Sequence, residues 1–522
     1  MIQTHPSAAS VGRSLDSQTA PLGGQAAPPF LTFPLAGLVA IIACAGPASA
    51  QSPPDTVWRY TLLPDSRLID DCDNCGRPTL SLPLRGTFDL RLLQENPLFA
   101  QYTVTNVSWF AGGDGQNAYK VTGHGRFELG GEVVLMQRMT LDLRVDNGFT
   151  NRSGAFTNDH PGVERLWPMI KTHLDETNGS PVQFYRLELV AAPLREIWFS
   201  TAHGFTPGVP LPDDKHVSGG DLVSTAGRVV KRHHELSASL GIMPVVPDLG
   251  LDAVDVLPRG ETAFSIEQDI FSESLGPLHH GDVLSDRGRI VANYETLVGA
   301  FSPEPPVADQ GLDALQILEG GEIYFSVEND FFSESLGRLV RKGDLLSSRG
   351  AIVKSNAELI ARFSPADPKQ DYGLDALHVW PSGEVWFSVE NGFYGSHFEP
   401  YNRGDLLSDQ GYVVYRNLDL LAPFQPLEDL ADFGLDALFI VSDLGAPPST
   451  IPAPRCAGIA PDRSSGNIRL EWNAPGRVFQ MERATNLAGP WEPASPILTE
   501  PPAMAPGAMT NAPQGFYRLR QW

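Results

Sequence analysis

The chain has 522 residues, more than one hydrophobic core usually holds, so two to four folded units are expected. Its 38 Lys and Arg residues against 62 Asp and Glu residues give a formal net charge of -24. This charge argues against binding to nucleic acid or to an anionic membrane surface, because both need clustered cations. The 50 Gly and 45 Pro residues predict many turns, as in all-β domains with short strands.

Residues 1–50 read as an export signal region. An apolar run over 30–45 is followed by Ala-Ser-Ala at 48–50, a small-residue cleavage pattern. A lipoprotein alternative uses Ile-Ile-Ala-Cys at 41–44, which would lipidate Cys44, and a retained membrane anchor is a third alternative. The sequence therefore predicts a secreted or cell-surface protein, with no membrane span after signal removal.

Residues 57–190 are predicted to form an N-terminal β domain, either a β-sandwich or a small antiparallel barrel. Runs of alternating polar and apolar residues, separated by glycine-rich turns, predict its strands at 56–62, 86–92, 101–109, 118–128, 132–135 and 139–145. A short helix is expected over 166–174.

The pair Cys72 and Cys75 forms a single CxxC motif in this domain. Zinc normally needs a second pair or histidines at matching spacing, and none lies close by in the sequence. Thioredoxin-like redox chemistry needs a βαβ context, which the predicted strands do not provide. The motif therefore predicts a local disulfide in an oxidising compartment, and leaves Cys456 as an odd thiol.

Three motifs recur four times in the second half of the chain. Gly-Leu-Asp-Ala occupies 250–253, 311–314, 373–376 and 434–437. A Phe-Ser pair closes the segments 198–200, 263–265, 324–326 and 386–388, and Gly-Asp followed by Leu or Val occupies 220–222, 281–283, 343–345 and 404–406. The aspartates of the first motif are 61, 62 and 61 residues apart, so the chain contains tandem repeats of about sixty residues.

Each repeat holds four short strand candidates, which in the third copy are 374–380, 384–390, 405–408 and 412–416. Four strands in about sixty residues is the content of a propeller blade. The strands from 196–200 to the last Gly-Leu-Asp-Ala strand make four complete sets, while 187–191 belongs either to the preceding domain or to ring closure. We therefore expect a four-bladed propeller-like domain over 191–445, with a linear β-solenoid as the alternative.

A Pro- and Ser-rich linker leads to strand candidates at 467–472, 477–484, 491–493 and 515–519. Leu-Glu-Trp at 470–472, the segment 479–484 and Phe-Tyr-Arg-Leu at 516–519 resemble fibronectin type III-like modules of secreted bacterial proteins, which implies a small β-sandwich over 455–522. The three repeat motifs themselves (Gly-Leu-Asp-Ala-Leu, Phe-Ser-Val-Glu-Asn and Gly-Asp-Leu-Leu-Ser) resemble those of uncharacterised exported bacterial repeat proteins. These resemblances imply an extracellular role and carry no catalytic residue.

The sharpest candidate site is the set of aspartates of the first motif, Asp252, Asp313, Asp375 and Asp436. Equivalent carboxylates in a closed ring could line an axial channel and hold a cation or a polar ligand. The alternative is structural, with each aspartate accepting hydrogen bonds from backbone N–H groups between blades. The Gly-Asp aspartates, Asp221, Asp282, Asp344 and Asp405, are expected to cap their own turns.

No organic cofactor is predicted, and metal ligands are not assigned. Repeated acidic turns such as 328–330 leave calcium open, although they lack the spacing of an EF-hand. We expect at most a modest rise in melting temperature with calcium. Histidines do not recur at equivalent positions, so a metal site built by the repeats is not expected.

The sequence favours a non-catalytic binding or scaffold protein that meets an unidentified extracellular ligand or surface component through variable loops at 269–278, 330–340 and 392–402. The alternative is an extracellular carbohydrate-active enzyme that uses carboxylates at the propeller mouth. An enzyme needs one copy to break the pattern with a paired acid and base, whereas the acidic positions recur alike. A Ser-His-Asp triad stays open, because its members need not be adjacent in sequence.

Overall fold

A computed structural model describes residues 57–522, apart from residues 64, 74, 96–97, 113–117, 132–133, 159–160, 164–167, 181, 213–215, 247, 307–308, 397, 444–454, 463–466, 485–490 and 506–515. The predicted export signal, with Cys44, lies outside the described residues. Strands make up 49% of the structure and helices 7%, which confirms the all-β class. Among the helices of the described residues, none has the length and apolarity needed to cross a bilayer.

The first sheet closes on itself. Its strands are β1 (Val57–Leu62), β2 (Arg67–Asp71), β3 (Leu80–Glu95), β4 (Phe99–Ala111), β5 (Tyr119–Gly130), β6 (Met136–Asp146), β7 (Asn151–Thr157), β8 (Ile170–Glu176) and β9 (Phe184–Phe199). From β3 to β9 each strand pairs with the next, and β1 and β2 both pair with β3 and with β9. These two short strands therefore cover the edges that β3 and β9 would otherwise expose.

Buried and exposed residues alternate along the strands, and the buried side chains fill the inside of this sheet. In β6, Leu141, Leu143 and Val145 are buried and the residues between them are exposed, because successive side chains of a strand point to opposite faces. The same period of two explains why the short helix expected over 166–174 is wrong where that stretch is described. There, Ile170–Glu176 is β8, in which Ile170 and Leu174 are buried on the side that faces the core.

Cys72 and Cys75 are joined by a disulfide that closes a turn directly after β2, with their Cα atoms 5.9 Å apart. The backbone N–H of Cys72 donates to the Asp71 carboxylate at 2.8 Å. The Thr79 hydroxyl donates to the same Asp71 oxygen, also at 2.8 Å. The CxxC segment is therefore a structural turn held by a covalent bond and by hydrogen bonds to Asp71.

The repeats supply many short strands of two to five residues. In chain order these are β10 (Leu222–Ser224), β11 (Arg228–Lys231), β12 (Val254–Val256), β13 (Thr262–Phe264), β14 (Ile270–Ser272), β15 (Gly276–Leu278), β16 (Val283–Ser285), β17 (Arg289–Ala292), β18 (Pro303–Glu304), β19 (Leu315–Ile317), β20 (Ile323–Phe325), β21 (Phe331–Ser333), β22 (Arg338–Val340), β23 (Leu345–Ser347), β24 (Ala351–Lys354), β25 (Leu377–Val379), β26 (Val385–Phe387), β27 (Phe393–Tyr394), β28 (Pro400–Tyr401), β29 (Leu406–Ser408), β30 (Tyr412–Tyr415) and β31 (Leu438–Ser442). One short helix follows each set: α1 (His233–Ser237), α2 (Tyr294–Val298), α3 (Asn356–Ile360) and α4 (Asn417–Leu421). Turns of 3₁₀ helix occupy Pro258–Gly260, Gly299–Phe301 and Ala361–Phe363.

These strands build four antiparallel units of four strands. Unit 2 is β12-β13-β16-β17, unit 3 is β19-β20-β23-β24, and unit 4 is β25-β26-β29-β30. Unit 1 is assembled from both ends of the repeat region, since β31 pairs with the last residues of β9, which continue to β10 and β11. The domain boundary expected near residue 191 thus falls inside β9, which belongs to the first sheet and to unit 1.

The four units are joined in a closed cycle by equivalent serines. The hydroxyl of Ser200 in unit 1 donates to the Leu251 carbonyl at the start of unit 2 at 2.6 Å, and Ser388 in unit 4 donates to the Leu435 carbonyl at the start of β31 at 2.6 Å. Ser265 and Ser326 make the same bond to the next unit. The first strands of the four units, β12, β19, β25 and β31, also contact one another in a ring.

The C-terminal strands form two three-stranded sheets against the repeats. Their strands are β32 (Arg455–Asp462), β33 (Asn467–Asn473), β34 (Phe479–Ala484), β35 (Glu492–Pro493), β36 (Ala503–Ala505) and β37 (Phe516–Gln521), in the orders β32-β33-β36 and β35-β34-β37. Arg477 donates to the buried carboxylate of Asp255 at 3.0 Å and to the carbonyl of Ile317 at 2.8 Å. One side chain thus ties these sheets to the first strands of units 2 and 3.

Removing one serine of the cycle tests how much the closure stabilises the fold. Ser388→Ala leaves the buried Leu435 carbonyl without this donor, so we expect a loss of about 1–2 kcal/mol of unfolding free energy and a fall of a few degrees in melting temperature. Ser239→Ala, at an exposed position, is the matched control and should leave the transition unchanged. Equal melting temperatures for the two variants would contradict a stabilising role for the serine cycle.

Candidate functional site

The candidate site lies where the four innermost strands begin. Each aspartate of the first motif comes two residues before the first strand of its unit, and we call the four the axial aspartates (Asp252, Asp313, Asp375 and Asp436). Because these strands contact one another in a ring, the four carboxylates share one end of it. The fold therefore brings together residues that are separated by about sixty positions in the sequence.

The axial aspartates are held without hydrogen-bond donors. Asp313 and Asp436 are each 7% exposed, and the buried Oδ2 atoms of Asp252 and Asp313 accept no hydrogen bond. Throughout the described residues, no hydrogen bond ends on any of the four carboxylates, so the structural interpretation in which they accept from backbone N–H groups is not what is found. Buried carboxylates without partners are costly, which makes these positions unusual for a purely structural motif.

Burial and mutual repulsion disfavour ionisation of this group. Burial raises the pKa of Asp313 well above its usual range, and the charges of Asp375, Glu390 and Asp252 raise it further. The pKa of Asp252 is raised by burial and by Glu267 and Asp436, and burial raises the pKa of Asp436 to about 7. The shared causes show that the carboxylates lie within each other's electrostatic reach.

The Gly-Asp aspartates do what the turn interpretation predicts. The Asp405 carboxylate accepts from the N–H of Asn402 in its own turn at 2.9 Å and from the N–H of Asn417 at the start of α4 at 3.0 Å. The same pair of bonds recurs at Asp221, Asp282 and Asp344. These aspartates hold the turn and the short helix of each unit.

A third set of repeated aspartates could not be recognised as structural from its motif alone. Asp309 accepts from the N–H of Gly281 at 2.7 Å and from the N–H of Gly311 at 3.1 Å, so it links the Gly-Asp turn of unit 2 to the first motif of unit 3. Its equivalents are Asp248, Asp371 and Asp432. The sequence does show this repeat, since each of these aspartates stands two residues before the glycine of the first motif.

A row of glutamates lies next to the axial aspartates. Gly250 has φ +73°, and a Cβ there would come within 2.2 Å of the Glu267 side chain; Gly311 meets Glu328 in the same way. Gly373 faces Glu390, while Gly434 of unit 1 faces only the methyl group of Ala202. The left-handed backbone and the overlying side chain together explain the glycine of this motif. They also establish Ala202 as the structural equivalent of the three glutamates.

Basic side chains from the neighbouring unit face two of these glutamates. The residue before each Gly-Asp pair is Gly219 in unit 1, His280 in unit 2, Lys342 in unit 3 and Arg403 in unit 4. Lys342 donates to Glu390 of the next unit. His280 acts on Glu328 of the next unit, where it lowers the pKa against the larger raising effect of burial. The pattern is that the basic residue before Gly-Asp in one unit faces the glutamate of the following unit.

Unit 1 breaks this rule on both of its sides. Gly219 offers no cation to Glu267, which is exposed and has no ion pair within the described part of the chain. Ala202 offers no carboxylate to Arg403, which instead contacts the Nε2 atom of His203 at 2.6 Å. Unit 1 therefore leaves an unmatched glutamate on one side and a cation without a glutamate on the other.

A second opening lies where the inner strands meet the C-terminal sheets. This cavity, of about 1290 Å³, is lined by residues that include Gln316, His378, Trp380, Arg477 and Trp522. Inside it, Arg477 pairs with Asp255, and burial lowers the pKa of His378 to about 3, which keeps its imidazole neutral.

Direct calcium coordination needs a tighter arrangement than the axial aspartates offer. Calcium–oxygen distances of roughly 2.5 Å bring ligand oxygens within about 5 Å of one another. Among the described residues, the group whose ligand atoms all lie within 4.8 Å is instead Asp269, His279 and Asp309. Calcium at the axial aspartates stays a prediction, and it would involve bridging water.

No family model and no curated protein matches the chain. A solved structure of the extracellular domain of a putative hybrid two-component system from B. thetaiotaomicron aligns with 9% identity and a TM-score of 0.14. The alignment covers 80% of this chain and 66% of that chain.

Replacing one axial aspartate by asparagine, its neutral isostere, tests whether the carboxylates repel one another and destabilise the folded state. A raised pKa means that the folded state binds more protons than the unfolded state above about pH 4, so stability falls as pH rises through this window. We therefore expect Asp313→Asn to raise the melting temperature by a few degrees at pH 8 and by less at pH 5. Asp405→Asn, which weakens real hydrogen bonds, should lower it at both pH values.

The comparison is made by calorimetry on the full chain, with and without millimolar calcium. Calcium should raise the wild-type melting temperature modestly at pH 8 and less at pH 5, where protons compete. A fall in stability for Asp313→Asn at pH 8 would show that the ionised carboxylate is structural, contrary to this account.

Proposed function

We propose that this is a non-catalytic binding protein, secreted or displayed on the cell surface, whose repeats form a four-bladed propeller-like domain. The four-stranded units, the serine cycle and the ring of first strands support this architecture. The closed first sheet and the paired C-terminal sheets would be its N-terminal β domain and its fibronectin type III-like module. The Cys72–Cys75 disulfide suits an oxidising compartment.

The proposed ligand is an organic cation, an ammonium or guanidinium group carried by a partner molecule. The observation that carries this proposal is Glu267, which is exposed and without an ion pair in the described residues, although Glu390 at the equivalent place pairs with Lys342. A cationic group placed over Gly219 would supply the missing member of the pattern. It would also lie near Asp252 and Asp436, whose charges act together with that of Glu267.

Size and charge both favour an organic cation at this position. Gly219 and Ala202 carry the smallest side chains of their equivalent sets, so unit 1 leaves room where the other units are filled by His280, Lys342 or Arg403. The net charge of -24 adds a long-range attraction for cationic partners. Arg403, which contacts His203 of unit 1 and faces no glutamate there, would favour a ligand that also carries an anionic group.

The carbohydrate-active enzyme alternative receives less support from the electrostatics. An acid and base pair needs carboxyl groups whose pKa values are pushed apart. Burial, followed by the charges of neighbouring carboxylates, raises the pKa of all four axial aspartates. Because the pKa values of all four carboxyl groups shift in the same direction, the group does not supply a separate acid and base. It is better suited to attract positive charge.

The test uses two matched probes, N-acetyl-lysine amide and its uncharged analogue N-acetyl-norleucine amide. We expect the lysine derivative to bind in calorimetric titration and to raise the melting temperature at low ionic strength, and the norleucine derivative to do neither. Glu267→Gln should weaken lysine binding at least tenfold. Equal responses to the two probes, or an unchanged affinity in Glu267→Gln, would contradict the proposal.

Installing the missing cation gives an independent prediction. Gly219→Lys should pair with Glu267, raise the melting temperature by a few degrees and abolish the response to the lysine derivative. Gly219→Met is the control for side-chain bulk, since a Cβ there lies 3.1 Å from the Thr201 carbonyl oxygen. If Gly219→Met stabilises the protein as much as Gly219→Lys, charge completion is not the cause.

A further inference from the structure

A second departure from the repeat pattern lies at the Gly-Asp turn of unit 2. The turn before its Gly-Asp pair carries two histidines, His279 and His280, next to Asp269 and Asp309. Asp269 comes from the loop after β13, and Asp309 is the repeated carboxylate that links units 2 and 3. Three different segments thus bring two imidazoles and two carboxylates to one place.

The ligand-bearing atoms are close enough to share one ion. One such atom from each of Asp269, His279 and Asp309 lies within 4.8 Å of the others, and the Nδ1 atom of His279 is 3.4 Å from Asp269 Oδ2. The carboxylate of Asp309 already accepts two backbone N–H bonds, but each carboxylate oxygen has a further lone pair for a metal. Bonds of about 2.0–2.2 Å place two ligand atoms at most about 4.4 Å apart, so these side chains would draw slightly closer around a bound ion.

His280 adds an independent sign that a ligand belongs there. Its Nε2 atom is buried and makes no hydrogen bond, although it lies 3.8 Å from Asp309 Oδ2. Its Nδ1 atom is 3.4 Å from the Asp269 carboxylate. The His280 ring thus lies between two carboxylates, and its buried Nε2 atom has no hydrogen bond, which is uncommon for a buried polar atom.

Unit 3 shows what the same turn looks like without metal-binding side chains. There the two carboxylates recur as Asp330 and Asp371, and the N–H of Lys342 donates to Asp330 at 2.9 Å just as the N–H of His280 donates to Asp269 at 3.0 Å. The histidines are replaced by Arg341 and Lys342. An imidazole can offer a lone pair to a metal, whereas a guanidinium or an ammonium cannot.

We propose that Asp269, His279 and Asp309 bind a divalent transition-metal ion such as Zn²⁺, with His280 either completing or orienting the set. Mixed imidazole and carboxylate ligands suit zinc and its neighbours in the first transition row, whereas calcium and magnesium prefer oxygen ligands alone. The ion would cross-link units 2 and 3 at the mouth of the ring. This site uses other ligand residues than the cationic site proposed at Glu267.

The experiment compares the full-length protein with the double substitution His279→Arg and His280→Lys, which gives unit 2 the side chains of unit 3. After chelator treatment, Zn²⁺ is titrated calorimetrically and Co²⁺ is titrated by visible absorption, which reports imidazole and carboxylate ligation. We expect wild-type protein to bind one equivalent of each metal at this site. The double variant should bind at least tenfold more weakly and should lose the Co²⁺ absorption.

The double variant should keep the wild-type melting temperature without metal, because the turn already accepts Arg341 and Lys342 in unit 3. Asp269→Asn is the second variant, which removes one ligand charge and should also weaken Zn²⁺ binding. Failure of wild-type protein to bind either metal, or equal binding by the double variant, would overturn the proposal. A calcium titration is the selectivity control, and calcium binding that is lost in the same variant would contradict the transition-metal assignment.

Discussion

The pairing of β31 with β9 is the constraint on which the repeat region depends. It builds unit 1 from strands more than two hundred residues apart, and the bond from Ser388 to the Leu435 carbonyl carries the serine cycle across this seam. Without it, three units would stack as an open row and expose unpaired strand edges. With it, equivalent residues of all four units face a common axis, so a motif of the sequence becomes a ring in space.

Closure of the four units into a ring changes the surroundings of a repeated residue. In an open array, a carboxylate that recurs every sixty residues meets only its own surroundings, whereas in a ring the same four carboxylates meet each other. The axial aspartates therefore combine burial with repulsion, and their pKa values rise together. The other two aspartate sets recur just as regularly, yet the carboxylates of Asp405 and Asp309 accept hydrogen bonds from backbone N–H groups. Repetition alone does not distinguish a site from a scaffold, and the hydrogen bonds do.

Much of the local structure could be predicted from the sequence. The strands of each repeat and the turn role of Asp405 follow from motif spacing and turn chemistry. Two features could not be predicted. The short helix expected over 166–174 is replaced by β8 from Ile170 onwards, because pairing with β9 decides the conformation there. The pairing of Lys342 with Glu390 joins residues of different units, and only the ring places them together.

The departures from symmetry then become the informative positions. Gly219 and Ala202 in unit 1 leave charges unmatched, and the histidines of unit 2 replace the cations that unit 3 uses at the same turn. Both departures meet on one segment, because Glu267 and Asp269 are two residues apart. A divalent ion on Asp269 would lower the negative potential felt at Glu267, so metal and organic cation would weaken each other's binding by the same factor. Two adjacent sites built on one rigid ring would therefore act as competitors without sharing a ligand atom.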